Sequence, residues 1–149
     1  MSKAVVCTSI DGYASYKKLP GAALTSDEKL LVYYEPINYK TAFVDDGYQA
    51  HFTQDGQIRK RGEKTILREK LKLLDCTAKG ELPPENLFLR NTVSLKGLTP
   101  GEYDFTIILH DEIAKGPPVT QVVRFRIVPA DVAGDSPKAE PAPKDAGDE

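Results

Sequence analysis

The feature that most constrains this chain is a turn feeding directly into an alternating run. Leu98, Thr99, Pro100, Gly101, Glu102 and Tyr103 lead into residues 104–110, where Tyr103, Phe105, Ile107 and Leu109 recur at every second position. Pro-Gly presets a tight turn, and a period of two puts those four side chains on one face of a strand. A strand of this kind, entered through such a corner, predicts an all-β chain: an immunoglobulin-like antiparallel β-sandwich of about seven strands. Tyr103, near the start of its strand, is expected to be buried with its hydroxyl hydrogen-bonded.

The remaining segments agree with an all-β reading. Residues 4–10 are rich in β-branched residues and predict a first strand closed by a turn at Asp11 and Gly12, with residues 13–18 extending or re-pairing it. Residues 29–35 are apolar almost throughout and predict a central strand that Pro36 ends. Asp45, Asp46 and Gly47 signal a turn, after which Tyr48, Ala50 and Phe52 alternate. Gln54, Asp55, Gly56 and Gln57 read as a hairpin turn by the Asp-Gly rule. Residues 64–74 fit both periods: Leu67, Leu71 and Leu74 suit a helix, Leu71 and Leu73 a strand, and the all-β context selects strand. Residues 76–85 read as a loop closed by Pro83 and Pro84. Leu87, Leu89, Asn91, Val93 and Leu95 share one face of the next strand. The last strand, 119–128, turns Val119, Val123, Phe125 and Ile127 inward and Arg124 and Arg126 outward. Turn residues at regular spacing between short strands are the mark of a sandwich.

Composition divides the chain in two. Residues 1–129 form the domain; from Ala130 the sequence is small, charged and proline-containing (Pro137, Pro141, Pro143), with no aromatic residue. Residues 130–149 are therefore expected to be a disordered acidic tail, because they offer too little apolar surface to offset ordering entropy. The tail carries six acids and two lysines, so a formal charge of −2 conceals a slightly basic body. That balance excludes a strong electrostatic case for nucleic acid. No segment is long enough to span a membrane, and the apolar residues 4–7 are too short for a signal-peptide core. The expected location is cytoplasmic for a chain starting at Met1, and the cell envelope or exterior for one preceded by an export signal.

Cys7 and Cys76 leave one intramolecular pairing, and free thiols buried as small hydrophobes fit equally well. His51 and His110 are the only histidines. Their spacing with the cysteines carries no zinc signature, and no Cys-x-x-Cys is present. Asp45, Asp46, Asp111 and Glu112 lie in connections where oxygen ligands would suit calcium, but EF-hand spacing is lacking and acids commonly form turns. No serine stands in a nucleophile-elbow context and no glycine loop suits a phosphate. The chain is accordingly expected to be non-catalytic and to hold no cofactor.

Two surfaces stand out as interaction candidates. Arg59, Lys60 and Arg61, with Lys64, Arg68, Lys70 and Lys72, form the densest basic run, interrupted by Glu63, Glu69 and Asp75. Such a run suits an anionic partner, and equally a solvated hairpin whose lysines guard an edge. Tyr13, Tyr16, Tyr34 and Tyr39 are the candidates for a carbohydrate platform, with core packing as the competing reading. Asp111 and Glu112, in the connection beyond the strand that ends near His110, complete the candidate set.

The ordered set Cys7, Thr8, Ser9, Ile10, Asp11, Gly12, Tyr13; Leu30, Leu31, Val32, Tyr33, Tyr34, Glu35; Asn38, Tyr39; Asp46, Gly47, Tyr48; residues 98–103; and Asp111 resembles a group of uncharacterised, planctomycete-type bacterial proteins. These carry a single immunoglobulin-like domain, and the likeness spans most of residues 7–128. The resemblance implies the fold and a cell-envelope or interaction setting, and it carries over no catalytic residue. Its members look like proteins with export signals or long N-terminal regions, neither of which precedes residue 4 here. The function expected from all of this is recognition or scaffolding of a protein partner, through an exposed edge strand or the hairpin at 59–61, with carbohydrate binding by surface tyrosines as the alternative.

Overall fold

The computed structural model describes residues 1–129. Ten strands are present among them: β1 (Val5–Gly12), β2 (Ser15–Lys18), β3 (Ala23–Leu24), β4 (Lys29–Tyr34), β5 (Ala42–Val44), β6 (Gly47–Lys60), β7 (Arg68–Gly80), β8 (Leu89–Ser94), β9 (Gly101–Asp111) and β10 (Val119–Ile127). The only helical element among the described residues is a short 3₁₀ turn, Pro20–Ala22. Four strands make one sheet in the order β2-β1-β4-β8, and six make the other, β3-β10-β9-β6 with β5 and β7 both on β6. Every pairing is antiparallel except β3 on β10.

The inward faces of the two sheets meet in one apolar cluster, to which Leu30, Val32, Tyr34 and Leu89 contribute from the first sheet and Phe52, Ile58, Phe105, Ile107 and Phe125 from the second. The alternation that opened the sequence is the spine of this core: Tyr103, Phe105, Ile107 and Leu109 are all buried on β9, which pairs with β6 on one side and β10 on the other. The Tyr103 hydroxyl donates to the Thr99 carbonyl at 2.6 Å, pinning the turn to the strand it starts, and the ring stacks on Phe125.

β4 reads as a continuous apolar run because both of its faces are covered. Leu30, Val32 and Tyr34 point into the core, while Tyr33 sits in a second, outer cluster with Cys7 and Ile10, under Tyr16 and Phe88. The tyrosine pair thus faces opposite ways, as its adjacency requires. The Asp45 and Asp46 turn is a two-residue hairpin between β5 and β6, with both aspartates at positive φ (52° and 62°), the backbone a type I′ turn demands.

Several expectations are corrected. The strands number ten among the described residues, not about seven. β1 runs on through Asp11 and Gly12, and the chain reverses at Tyr13 and Ala14, where Ala14 takes φ 57°. Gln54, Asp55, Gly56 and Gln57 form no hairpin turn: β6 passes straight through them. Residues 64–74 are indeed strand from Arg68 onward, but that strand continues through Cys76 to Gly80, taking over the first part of the expected loop. Val119 is 46 % exposed at the start of β10 instead of inward. The tail expected over 130–149 lies outside the described residues.

Candidate interaction surface

β6 is fourteen residues long and carries neighbours on both sides, but β7 pairs only with β6 among the described residues. β8 likewise pairs only with β4. These two open edges border one another across a slot in the side of the molecule, where the sheets separate. A depression of about 480 Å³ lies between Arg68, Glu69, Lys70 and Leu73 of β7 and Thr92, Val93 and Ser94 of β8. Gly56, Ile58 and Phe105 form its floor. A smaller depression, about 190 Å³, continues the slot between Cys76, Thr77 and Ala78 of β7 and Leu87, Phe88 and Leu89, above Phe52.

Why the slot exists is a matter of three local features. The first is Gly56: a Cβ there would fall 2.9 Å from Leu73 Cδ2 and 3.0 Å from Phe105 Cε1, so the position is kept for the closeness of its neighbours. The second is an irregularity in β7. Between the pairs Gln54–Leu74 and Gly56–Lys70 the register shifts, and Lys72 adopts φ 52°. The Lys72 N–H donates to Asp55 Oδ1 at 2.9 Å, which holds this bulge against β6, and Leu73 lies over Gly56. The third is Arg68, whose guanidinium donates to the carbonyls of Ser94 (3.1 Å) and Lys96, tying the two edges together at one end.

A polar bridge crosses between the sheets below the slot. Gln54 Nε2 donates to Asn91 Oδ1 at 2.6 Å, Asn91 Nδ2 donates back to Gln54 Oε1, and the Tyr34 hydroxyl donates to the same Gln54 oxygen at 2.7 Å. All three residues are fully buried. Burial pushes the Tyr34 hydroxyl pKa far up, so it remains a donor throughout the accessible pH range. Burial, helped by the neighbouring Asp75 charge, also raises the Cys76 thiol.

The outer face of β6 carries a polar ladder. His51 lies 2.7 Å from Asp75, and His110 lies 3.1 Å from Asp55. Burial opposes ionisation of Asp55, but the Lys72 N–H and the His110 ring outweigh it and hold the carboxyl below the ordinary aspartate value. Gln57 Nε2 donates to Glu69 Oε2 at 2.7 Å.

The sequence-derived candidates are distributed differently. Arg59 donates to the Lys64 carbonyl and Thr106 Oγ1, and Arg61 to Glu102 Oε1 and the Phe125 carbonyl, so both guanidinium groups are spent on the chain itself. Arg61 Nε and Asp104 Oδ1, buried and without hydrogen-bond partners, lie 3.7 Å apart as an ion pair. Lys60 alone of the triplet projects without such bonds among the described residues. Asp111 is a turn former: Oδ1 accepts from the Ile113 and Ala114 N–H groups and Oδ2 from Lys40 N–H. Glu112 Oε2 accepts from the Thr53 hydroxyl at 2.5 Å.

The four candidate tyrosines do not share a surface. Tyr34 lies in the core, Tyr39 donates to the Pro84 carbonyl and meets Phe52 edge-on, and Tyr16 stacks on Tyr33 at 4.3 Å. Only Tyr13, 43 % exposed, stands clear. Tyr33 donates to Glu35 and accepts from the Ala14 N–H; burial, with Glu35 adding to it, pushes its pKa up to about 12. Cys7 is buried on the outer side of the first sheet and Cys76 sits on β7 in the second; both are free thiols. Among the described residues no three of His, Cys, Asp and Glu gather where they could hold a metal ion. No helix among these residues is long and apolar enough to cross a membrane.

Gln54 and Gly56 escaped the sequence reading, because Asp55-Gly56 carries the local signal of a turn where β6 passes; Leu73 reads as strand, but the bulge that lays it over Gly56 has no sequence signal. Asn91 was legible as inward, and an amide on an otherwise apolar face was the available hint of a buried partner. In comparisons with known proteins the chain matches no family model, no curated protein and no solved structure.

Proposed function

We propose that this chain is a non-catalytic interaction domain, built as an elaborated immunoglobulin-like sandwich, that recognises a protein partner by strand addition at β7. The observation carrying this reading is the juxtaposition of an open edge thirteen residues long with an apolar slot beneath it. An edge strand offers a partner unpaired main-chain groups, and the adjoining depressions accept its alternate side chains. Leu71, 67 % exposed on the bulge, and the half-exposed Ile66 and Leu67 just before β7 enlarge the apolar area beside that edge. Support for the finer fold assignment comes from the Tyr103 corner, the facing antiparallel sheets and the shared core.

The test is a photo-crosslinking amino acid placed at Leu71 in the source cells, with Val122, 52 % exposed on β10, as the control position. A discrete adduct from position 71 and none from 122 is the expected result. Absence of an adduct at 71, or the same adducts from both positions, would count against the proposal.

A further inference from the structure

We infer that the acidic segment 131–149 turns back along β10 and docks its carboxylates on a basic depression beside that strand's open edge. This contact is independent of strand addition at β7, which lies on the opposite side of the sandwich. β9 covers one edge of β10 throughout, but β3 covers the other only at Arg126 and Ile127. Beside residues 121–124 of that uncovered edge lies a depression of about 690 Å³, walled further by residues 3–6 and 18–22. Its charged lining residues are Lys3, Lys18 and Arg124, all exposed, with no acid among them. Arg126 stands at the same place, its guanidinium 3.7 Å from where a Cβ on Gly21 would lie. None of these four cations takes part in an ion pair among the described residues. The acids nearest in register are committed elsewhere. Asp104 lies opposite Arg124 and Glu102 opposite Arg126, yet both carboxylates sit with Arg61, at 3.7 and 2.8 Å.

Position and charge select the occupant. The Val128 N–H donates to the Leu24 carbonyl at 2.8 Å, and Leu24 comes two residues after Ala22, which lines the depression. The chain therefore leaves β10 at one end of that depression. Residues 131–149 hold six acids, Asp131, Asp135, Glu140, Asp145, Asp148 and Glu149, against Lys138 and Lys144. Gln121 is about 20 Å from the end of β10, which about six extended residues span at roughly 3.3 Å each, so Asp131 and Asp135 fall within its length. Covalent linkage gives the segment an effective concentration on the order of millimolar, so ion pairs too weak to hold a free peptide suffice here. Pro137, Pro141 and Pro143 supply no N–H for a strand ladder, so contact there is by charge.

The test neutralises the segment within the full chain, Asp131→Asn, Asp135→Asn and Glu140→Gln together, which alters no side chain of residues 1–129. Amide chemical shifts locate the effect, and acetylation rates of Lys3 and Lys18, referred to the exposed Lys29, measure occupancy. At low salt the two lysines are expected to react about threefold more slowly in the parent than in the neutralised chain, a scale that a few exposed ion pairs support. Amides of residues 3–6, 18–22 and 121–124 should differ between the two chains, and the difference should vanish at high salt. Lys18→Glu with Arg124→Glu should remove the salt-dependent shifts at 121–124, and adding Asp131→Lys with Asp135→Lys should restore them.

Equal lysine reactivity in the two chains, with unchanged amides at 121–124, overturns the inference and leaves strand addition at β7 untouched. Shifts confined to residues 59–64 would place the segment on the basic hairpin, and shifts confined to β7 would place it on that edge. Protection that fades on dilution would place it on a second copy. Each of these placements also overturns the inference.

Discussion

Three buried polar side chains hold the two sheets in register below the slot. Gln54 and Asn91 exchange hydrogen bonds through both of their amides, and Tyr34 completes the Gln54 oxygen. Each bond contributes modestly against water, but a partner left alone in the core bears its full desolvation cost. Asn91→Leu is therefore expected to destabilise the chain by about 1–3 kcal/mol, measured by urea denaturation. Adding Gln54→Met and Tyr34→Phe removes the orphaned groups and should restore part of that loss. Costs that simply add through the series would contradict a cooperative bridge. Gly56 beside it acts by absence: any side chain would press on Leu73 and Phe105, which already close over the site.

At the scale of the element, β6 and β7 explain how far the sequence could be read. The alternation on β9, the apolar run on β4 and the presence of a turn at Asp45 and Asp46 were legible, because period and turn chemistry act locally. Asp55 and Gly56 carried the same local signal as a hairpin turn and were overruled by tertiary contacts. Here Gly56 makes room for Leu73 and Phe105, and Asp55 binds the displaced Lys72 N–H of the neighbouring strand. The basic run of residues 59–72 was visible too, but not that Arg59 and Arg61 are consumed internally while Arg68 and Lys70 line the slot. The Asp55 anchor has a consequence for pH. Its folded pKa lies below the unfolded value of about 3.9, so its contribution is fully present above about pH 4 and is lost as pH falls through the folded value. Asp55→Asn should cost about 1–2 kcal/mol at neutral pH, with the gap from the parent chain closing below about pH 4. Urea denaturation at stepped pH checks this, and a gap that persists unchanged into acid would rule out the charged anchor.

The whole molecule is a sandwich-like pair of sheets whose two sides are finished differently. On one side Gln121 stitches β10 to the N-terminal residues, accepting from the Ala4 N–H and donating to the Ser2 carbonyl, and β3 adds a strand to β10. On the other, β7 and β8 stop short of each other and are joined by Arg68 at one end and the Gln54–Asn91 bridge within. The β7 edge, thirteen residues long, is the longest edge strand among the described residues, and that it lies open to a partner is the account's central claim. Residue-resolved amide hydrogen exchange on the purified full chain tests it most directly. Amides of β9, paired on both sides, should exchange only through global unfolding, whereas those of β7 that point away from β6 should exchange within about tenfold of unprotected rates. Uniform protection along β7, matching that of β9, would mean that the edge is already covered and would contradict the claim.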